Sequence, residues 1–224
     1  MFYPNFKKER ELKKQNNEII TIGIDEAGRG PLAGPVVAAA TFFSSDFYEN
    51  IFDEQDLIRD SKTLSEKQRK EMFRLFSNNE HCFFSVAEVS EKIIDRVNIR
   101  QATLLAMRFA VEELLEKISQ ELSFQEENVL LLVDGNTAIP KLKYQQLNFI
   151  KGDQAISSIA AASICAKVTR DRMMESYHQK FSQYGFDKHK GYGTKQHLDN
   201  LAKFGPCSLH RKTFAPVKKL VSKV

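Results

Sequence analysis

The sequence has only three cysteines, Cys82, Cys165 and Cys207, and no two of them form a CxxC pair. An odd, scattered set argues against a disulfide framework or a cysteine zinc site and predicts a protein of the reducing cytosol. Long apolar runs are also missing. The longest, residues 35–43, is strand length, far below the roughly 18 residues a membrane span needs. The N-terminal MFYPNFKKERELKKQNNE lacks an apolar core and a small-residue cleavage site. It does not read as a secretory signal, and residues 1–18 are expected to be a polar tail or a short leading helix. There is no internal repeat, no low-complexity linker and no GxxxxGK[ST] phosphate loop. GRGPLAG at 28–34 misses the GxGxxG pattern, and Pro31 and Pro35 interrupt any helix start there. These absences disfavour a nucleotide-binding ATPase.

What remains is an ordinary globular composition, 42% apolar and 28% charged over 224 residues, enough for one well-buried core. The net charge of +4 is unevenly spread: residues 188–224 hold nine Lys or Arg against the single acid Asp199. A basic C-terminal end on a mildly acidic body suggests a polyanion partner, although lysine-rich ends often serve only solubility.

The stretch IITIGIDEAGRGPLAGPVVAAATFF, residues 19–43, carries the sharpest signal. A β-branched run stops at the adjacent acids Asp25 and Glu26, glycines and prolines follow, and a second apolar run begins. The loop length predicts two antiparallel neighbours, with a third strand over 81–90. Residues 98–118 predict a helix with Ile99, Ala102, Ala106, Phe109 and Ala110 on one face. NVLLLVDGN (128–136) predicts a central strand covered on both faces, ending at Asp134. QLNFIKGD (146–153) predicts another, ending at Asp153, and a long helix follows over 154–181. One acid after a strand is ordinarily a turn residue or a helix N-cap. Three strands that each end at a carboxylate beside a glycine are a stronger pattern, because ligands of open α/β sheets lie beyond the strands' carboxyl ends.

Clustered carboxylates repel each other and resist desolvation, so they persist by sharing protons or holding cations. An all-oxygen set favours hard ions, and a rigid set with room for water suits Mg²⁺ or Mn²⁺. Two such ions roughly 3.5–4 Å apart activate water and stabilise the leaving oxygen of a phosphodiester. Adjacent residues on a straight strand face opposite ways. Asp25 and Glu26 are therefore expected to share a site only if the backbone bends, which Gly28 and Gly30 make feasible, or if one acts through its carbonyl. A metal-free mechanism would use histidine pairs. The acid cluster disfavours it, so His189, His197 and His210 are expected at the surface or against substrate.

GIDEAGRGPLAGPVVAAA (23–40) closely resembles the signature of bacterial ribonuclease HII, of the type 2 ribonuclease H family. The likeness continues in order through DSKTLSEKQR (60–69), VDGN (133–136), KGD (151–153), IAAASICAKVTRDRMM (159–174) and HKGYGTKQH (189–197). It runs from about residue 19 to 216; the related HIII type usually carries an extra N-terminal domain, for which residues 1–18 leave no room. The resemblance implies an α/β ribonuclease H-like fold, with a mixed sheet of about five strands flanked by helices. It implies a catalytic domain over 19–224 that includes a basic helical C-terminal portion, about 175–224. It implies an endoribonuclease that cleaves the RNA strand of RNA–DNA hybrids and cuts at ribonucleotides embedded in duplex DNA. The two-ion Mg²⁺ or Mn²⁺ site would use Asp25, Glu26, Asp134 and Asp153, which are both catalytic residues and metal ligands. Gly28, Arg29 and Gly30 would read the 2′-hydroxyl through their backbone groups, and Tyr192 would pack on a sugar. Ser61, Lys62, Lys143, Lys167 and Arg170 are further candidate substrate contacts, with Lys190 and Lys195 as additional candidates for phosphate.

Two departures from the family pattern are visible. Thr63 stands where a second lysine is common, and APVKKLVSKV (215–224) lacks the aromatic pair of a sliding-clamp motif. Nothing suggests more than a cytoplasmic monomer. A resolvase-like nuclease and a catalytically silent hybrid-binding protein remain open. The GRG block speaks against the first and the complete acid set against the second.

Overall fold

The computed structural model describes residues 3–49, 58 and 60–221. The first two residues of the predicted N-terminal segment and the last three of the basic C-terminal portion lie outside the described residues. The elements run α1 (Lys7–Gln15), β1 (Ile20–Ala27), β2 (Val36–Phe43), α2 (Ser45–Glu49), α3 (Glu66–Asn78), β3 (Cys82–Val89), α4 (Glu91–Val97) and α5 (Ile99–Glu121). After them come β4 (Val129–Asp134), β5 (Gln145–Phe149), α6 (Ser157–Lys180), α7 (Phe186–His189), α8 (Lys195–Phe204) and α9 (Val217–Val221). The five strands form one mixed sheet in the order β3-β2-β1-β4-β5. As the glycine loop predicted, β1 and β2 are antiparallel neighbours. β2 pairs antiparallel with β3, and β1–β4 and β4–β5 are parallel.

The alternation of β1 divides the core between the two faces of the sheet. Ile20, Ile22 and Ile24 pack with Ala106, Ala110 and Leu114 of α5. The other face packs Ala27, Val37 and Ala39 against Ala160, Ala161 and Ala162 of α6. A Cβ on Gly23 would lie 2.2 Å from the backbone carbon of Ser158, so only glycine lets α6 approach β1 this closely. The small-residue start of α6, read from sequence as a close-packing face, is buried from Ser157 to Ala166.

Two expectations need correction. Phe109 is exposed and lies beside Arg108. The buried arc of α5 centres on Met107, Ala110 and Leu114, and helical rotation of about 100° per residue carries position 109 past its edge. β5 ends at Phe149, not at Asp153. Lys151 takes a left-handed conformation (φ 58°), and Asp153 sits on a single 3-10 turn, Gly152–Gln154, before α6.

Candidate active site

The carboxyl ends of β1 and β4 lie side by side. Ile24 pairs with Val133, so the next residues in each strand are Asp25 and Asp134. β1 stays paired with β2 through Glu26 and Ala27, and although a strand sends successive residues to opposite faces, the carboxyl groups of Asp25 and Glu26 lie close enough to interact directly. Asp25 is 4% exposed on the α6 side. Burial, then the charges of Glu26 and Asp134, hold its pKa well above the usual carboxylate range; the Ser163 hydroxyl and the Glu26 N–H pull the other way. Glu26 reaches the α5 side, where a cleft of about 270 Å³ is lined by Glu26, Arg29, Arg100, Thr103, Asp134 and Asn136. Burial raises its pKa too, and Arg29, 3.1 Å away, opposes that rise.

Asp134 joins the two sides. Burial and the charge of Asp153 raise its pKa, while the Gly152 N–H, donating to its Oδ1 at 2.7 Å, counters them. Asp153 is 1% exposed. Its Oδ2 accepts from Lys62 Nζ at 2.5 Å, and its buried Oδ1 has no hydrogen-bond partner. Burial works against the Lys62 charge, but the bond and attraction to Asp153, with Asp25 and Asp60 behind it, win and raise its pKa.

Among the described residues no three His, Cys, Asp or Glu side chains are grouped tightly enough to hold a metal ion as they stand. Each acid has turned to a local partner: Glu26 to Arg29, Asp134 to Gly152, Asp153 to Lys62, and Asp25 to the following N–H at 2.7 Å. The donor set nonetheless suits a hard cation. It combines the raised pKa values of Asp25, Glu26 and Asp134, the buried Asp153 Oδ1 left without a partner, and an ammonium standing where positive charge is favoured. Asp25, Asp134 and Asp153 would hold such an ion, with Glu26 completing the set from the other face.

The GRG turn begins beside these acids. Gly28 has φ 93°, and a Cβ there would lie 2.1 Å from Arg170 Nε, so the position admits only glycine. Arg29 is exposed, and a Cβ on Gly30 would lie 3.6 Å from the ring of Tyr192, which is 43% exposed. Glycine loop and aromatic therefore share one ledge.

Arg170 is not available to phosphate, which corrects the expectation from sequence. It is 1% exposed, and its guanidinium donates to Pro35 O, Ala33 O and Lys190 O at 3.0–3.1 Å. Arg211, which sequence reasoning missed as part of a basic tail, is 0% exposed and donates to Gly34 O, Arg29 O, Gly28 O and Pro35 O. Burial and the Arg170 charge push its pKa down to about 9, still charged at neutral pH. The two arginines thus clamp the carbonyls of a proline-rich loop that cannot pair with itself. Such a loop has few N–H donors of its own, and that deficit was the available signal.

The histidines also differ from expectation: His189, His197 and His210 are buried, not at the surface. The hydrogen-bond pattern assigns one neutral tautomer to each. Cys207 N–H donates to His210 Nδ1, so His210 Nε2–H donates to His197 Nε2 at 3.1 Å, and His197 Nδ1–H donates to Tyr192 O at 2.9 Å. Gly191 N–H donates to His189 Nδ1, leaving His189 Nε2–H for Tyr184 O. The relay ends on the backbone of Tyr192 and helps to fix that turn.

The other predicted contacts divide. Ser61 is buried and bonds Ser163 at 2.8 Å, beneath Asp25. Lys167 lies 2.5 Å from Asp171, and burial lowers its pKa. Lys190 bonds Glu175 at 2.9 Å, and Lys195 bonds Asp199 at 3.0 Å. Lys143 pairs with Glu126, two residues before β5 begins. β5 begins level with Leu130 of β4, whereas Asp134 lies level with its last residue, Phe149. Lys143 is therefore at the opposite end of the sheet and is not brought to the acids.

The mixed β3-β2-β1-β4-β5 sheet, with helices on both faces and acids at the ends of β1 and β4, is the ribonuclease H-like architecture expected from the sequence. The sequence profile of the ribonuclease HII family matches residues 22–217. The ribonuclease HII of Desulfotalea psychrophila is 45% identical over 217 residues, covering 97% of this chain and 89% of that protein. The ribonuclease H2 of Pyrococcus horikoshii superposes with a TM-score of 0.71 at 24% identity, over 92% of this chain and 98% of that one. The ribonuclease HII of Archaeoglobus fulgidus, solved as its complex with PCNA, superposes at 0.65 with 26% identity, over 88% and 95%. The chain belongs to the ribonuclease HII family, and its activity is that of an endoribonuclease on RNA–DNA hybrids.

Proposed function

We propose that the protein, a cytoplasmic monomer of ribonucleotide repair and replication, also incises duplex DNA at single embedded ribonucleotides. The reaction uses two Mg²⁺ or Mn²⁺ ions and leaves 5′-phosphate and 3′-hydroxyl ends. The carrying observation is that Asp25 and Asp134 stand side by side at the ends of β1 and β4, with Asp153 tied in through the Gly152 N–H, directly beside the clamped Gly28–Gly30 turn. Bound among these acids, divalent ions supply a water of lowered pKa and stabilise the departing oxygen. Asp25, Asp134 and Asp153 would hold the ions, and Glu26 would complete the set. Lys62, whose side chain is 70% exposed, swings from Asp153 to the scissile phosphate. The backbone of Gly28, Arg29 and Gly30 meets the 2′-hydroxyl, because glycine leaves no side chain to hold the sugar off. Tyr192 packs on the neighbouring deoxyribose.

The test sets a long hybrid, a duplex with one ribonucleotide and an all-DNA duplex side by side, with Mg²⁺, Mn²⁺ or chelator. The expected result is cleavage of the first two only, abolished by chelator. Persistent cleavage in chelator, or an intact single-ribonucleotide duplex, overturns the proposal.

A further inference from the structure

Asp153 sits on one turn of 3-10 helix between an edge strand and α6, and so short a turn cannot fix a carboxylate by itself. On one side it is tied to Asp134 through the Gly152 N–H. On the other side the tie comes from the opposite end of the chain. Asn5 N–H donates to Ala155 O at 3.3 Å, Ser157 N–H donates to Asn5 O at 3.2 Å, and Asn5 and Ile156 form a parallel bridge. One turn further on, Glu9 of α1 is 2% exposed. Its Oε1 accepts from Ser158 N–H at 3.1 Å and from Ser158 Oγ at 2.8 Å.

That contact supplies what α6 lacks. The N-cap of α6 is Ile156, with no side-chain hydrogen bond of its own, although a 24-residue helix presents unpaired N–H groups and positive dipole charge at this end. Glu9 provides both the acceptor and the negative charge. α1 is in turn held down by packing: Leu12 joins Leu130, Leu132, Ile156 and Ile159, and the ring of Phe6 lies 5.2 Å from Phe43 and 5.9 Å from Phe47.

We infer that the N-terminal segment acts on the metal site from outside it, through the start of α6. Glu9 is a positioning residue that fixes the start of α6 and, through residues 152–157, the place of Asp153, and it thereby sets affinity for the divalent ion. The inference rests on the proposed assignment of Asp153 as a metal ligand. Glu9 touches neither substrate nor ion.

The test measures Mn²⁺ binding to the full-length protein by calorimetry without nucleic acid, the Mn²⁺ midpoint of hybrid cleavage, the rate at saturating Mn²⁺, and Tm. Glu9→Leu is expected to weaken Mn²⁺ binding and raise the midpoint about tenfold, about 1.4 kcal/mol, with the saturated rate within about twofold of wild type. Glu9→Gln, which keeps the acceptor oxygen, recovers most of the affinity. A lower Tm with unchanged Mn²⁺ affinity makes Glu9 merely structural and overturns the inference. Should Glu9→Leu fail to fold, Ser158→Ala removes only the hydroxyl donor and should weaken binding two- to threefold; no change there overturns the inference equally. Asp153→Asn separates the two layers. If it binds Mn²⁺ as wild type does, the site assignment itself fails. If it abolishes binding while Glu9→Leu does nothing, only the inference fails.

Discussion

Replacing Arg211 by methionine removes the clamp on the GRG loop while keeping most of the side chain's volume. In the native protein the guanidinium donates to Gly34 O at 3.0 Å, Arg29 O at 2.9 Å, Gly28 O at 2.6 Å and Pro35 O at 3.2 Å. Pro35 O keeps a second donor in Arg170, and the exposed Arg29 can turn to water. Gly28 and Gly34 are buried, and each carbonyl stripped of this donor costs about 1–3 kcal/mol. Together the two cost roughly 2–6 kcal/mol. At about 2–4 °C per kcal/mol for a chain of this size, Tm should fall by roughly 4–24 °C. Arg211→Lys should recover less than half, because an ammonium is a point donor and cannot span carbonyls spread along a fork. Below the lowered Tm, the methionine variant should also lose preference for a single-ribonucleotide duplex over all-DNA more than it loses cleavage of a long hybrid. A Tm within about 2 °C of wild type, or an unchanged preference, refutes the clamp.

Asp25→Asn should raise stability at neutral pH while lowering turnover at least about 100-fold. The folded-state pKa of Asp25 lies above its unfolded value, so the native state binds more protons and stability falls as pH rises between the two. The asparagine gain is therefore full above the raised pKa and vanishes towards pH about 3.9, which melts across a pH series would register. Mn²⁺ should raise the Tm of wild type but not of this variant. Lys62→Met should bind Mn²⁺ without substrate as tightly as wild type or a few-fold more tightly, because it removes the ammonium that competes with the ion for the Asp153 carboxylate. Its single-turnover cleavage should nevertheless slow at least about tenfold, and weaker metal binding with normal cleavage would contradict the role given to this lysine. His189, His197 and His210 are held neutral mainly by burial, His210 down to about 4, whereas unfolded histidine titrates near 6.5. Stability from this cluster should therefore be lost as pH falls from about 6.5 towards 4. Amide exchange across residues 184–210 should speed up in that window ahead of the sheet, and uniform protection down to pH 5 would count against the assigned tautomers.

The acids at the sheet's end were legible because the signal is local: an apolar run that stops at a carboxylate beside glycine marks a strand end wherever the strand sits. β1 and β4 came out as read for that reason. Asp153 was assigned to a strand because the left-handed turn at Lys151 has no glycine to announce it; a lysine with φ 58° is held there by its surroundings. Arg170, Arg211 and the three histidines were misjudged for a related reason. Polar residue types predict exposure only while their partners are unknown, and each found its partner far away in the chain. The guanidinium of Arg211 meets carbonyls more than 170 positions earlier. Yet a donor was demanded in advance. A loop containing Pro31 and Pro35 and turning at Gly28 and Gly34 has carbonyls that no strand or helix can satisfy, and buried carbonyls do not remain unsatisfied. The same demand explains Glu9, because a helix beginning at Ile156 without a capping side chain must be capped by another segment. Unmet backbone groups at a functional loop thus identify which distant charged residues will be buried, and here they lead from the active site to both ends of the chain.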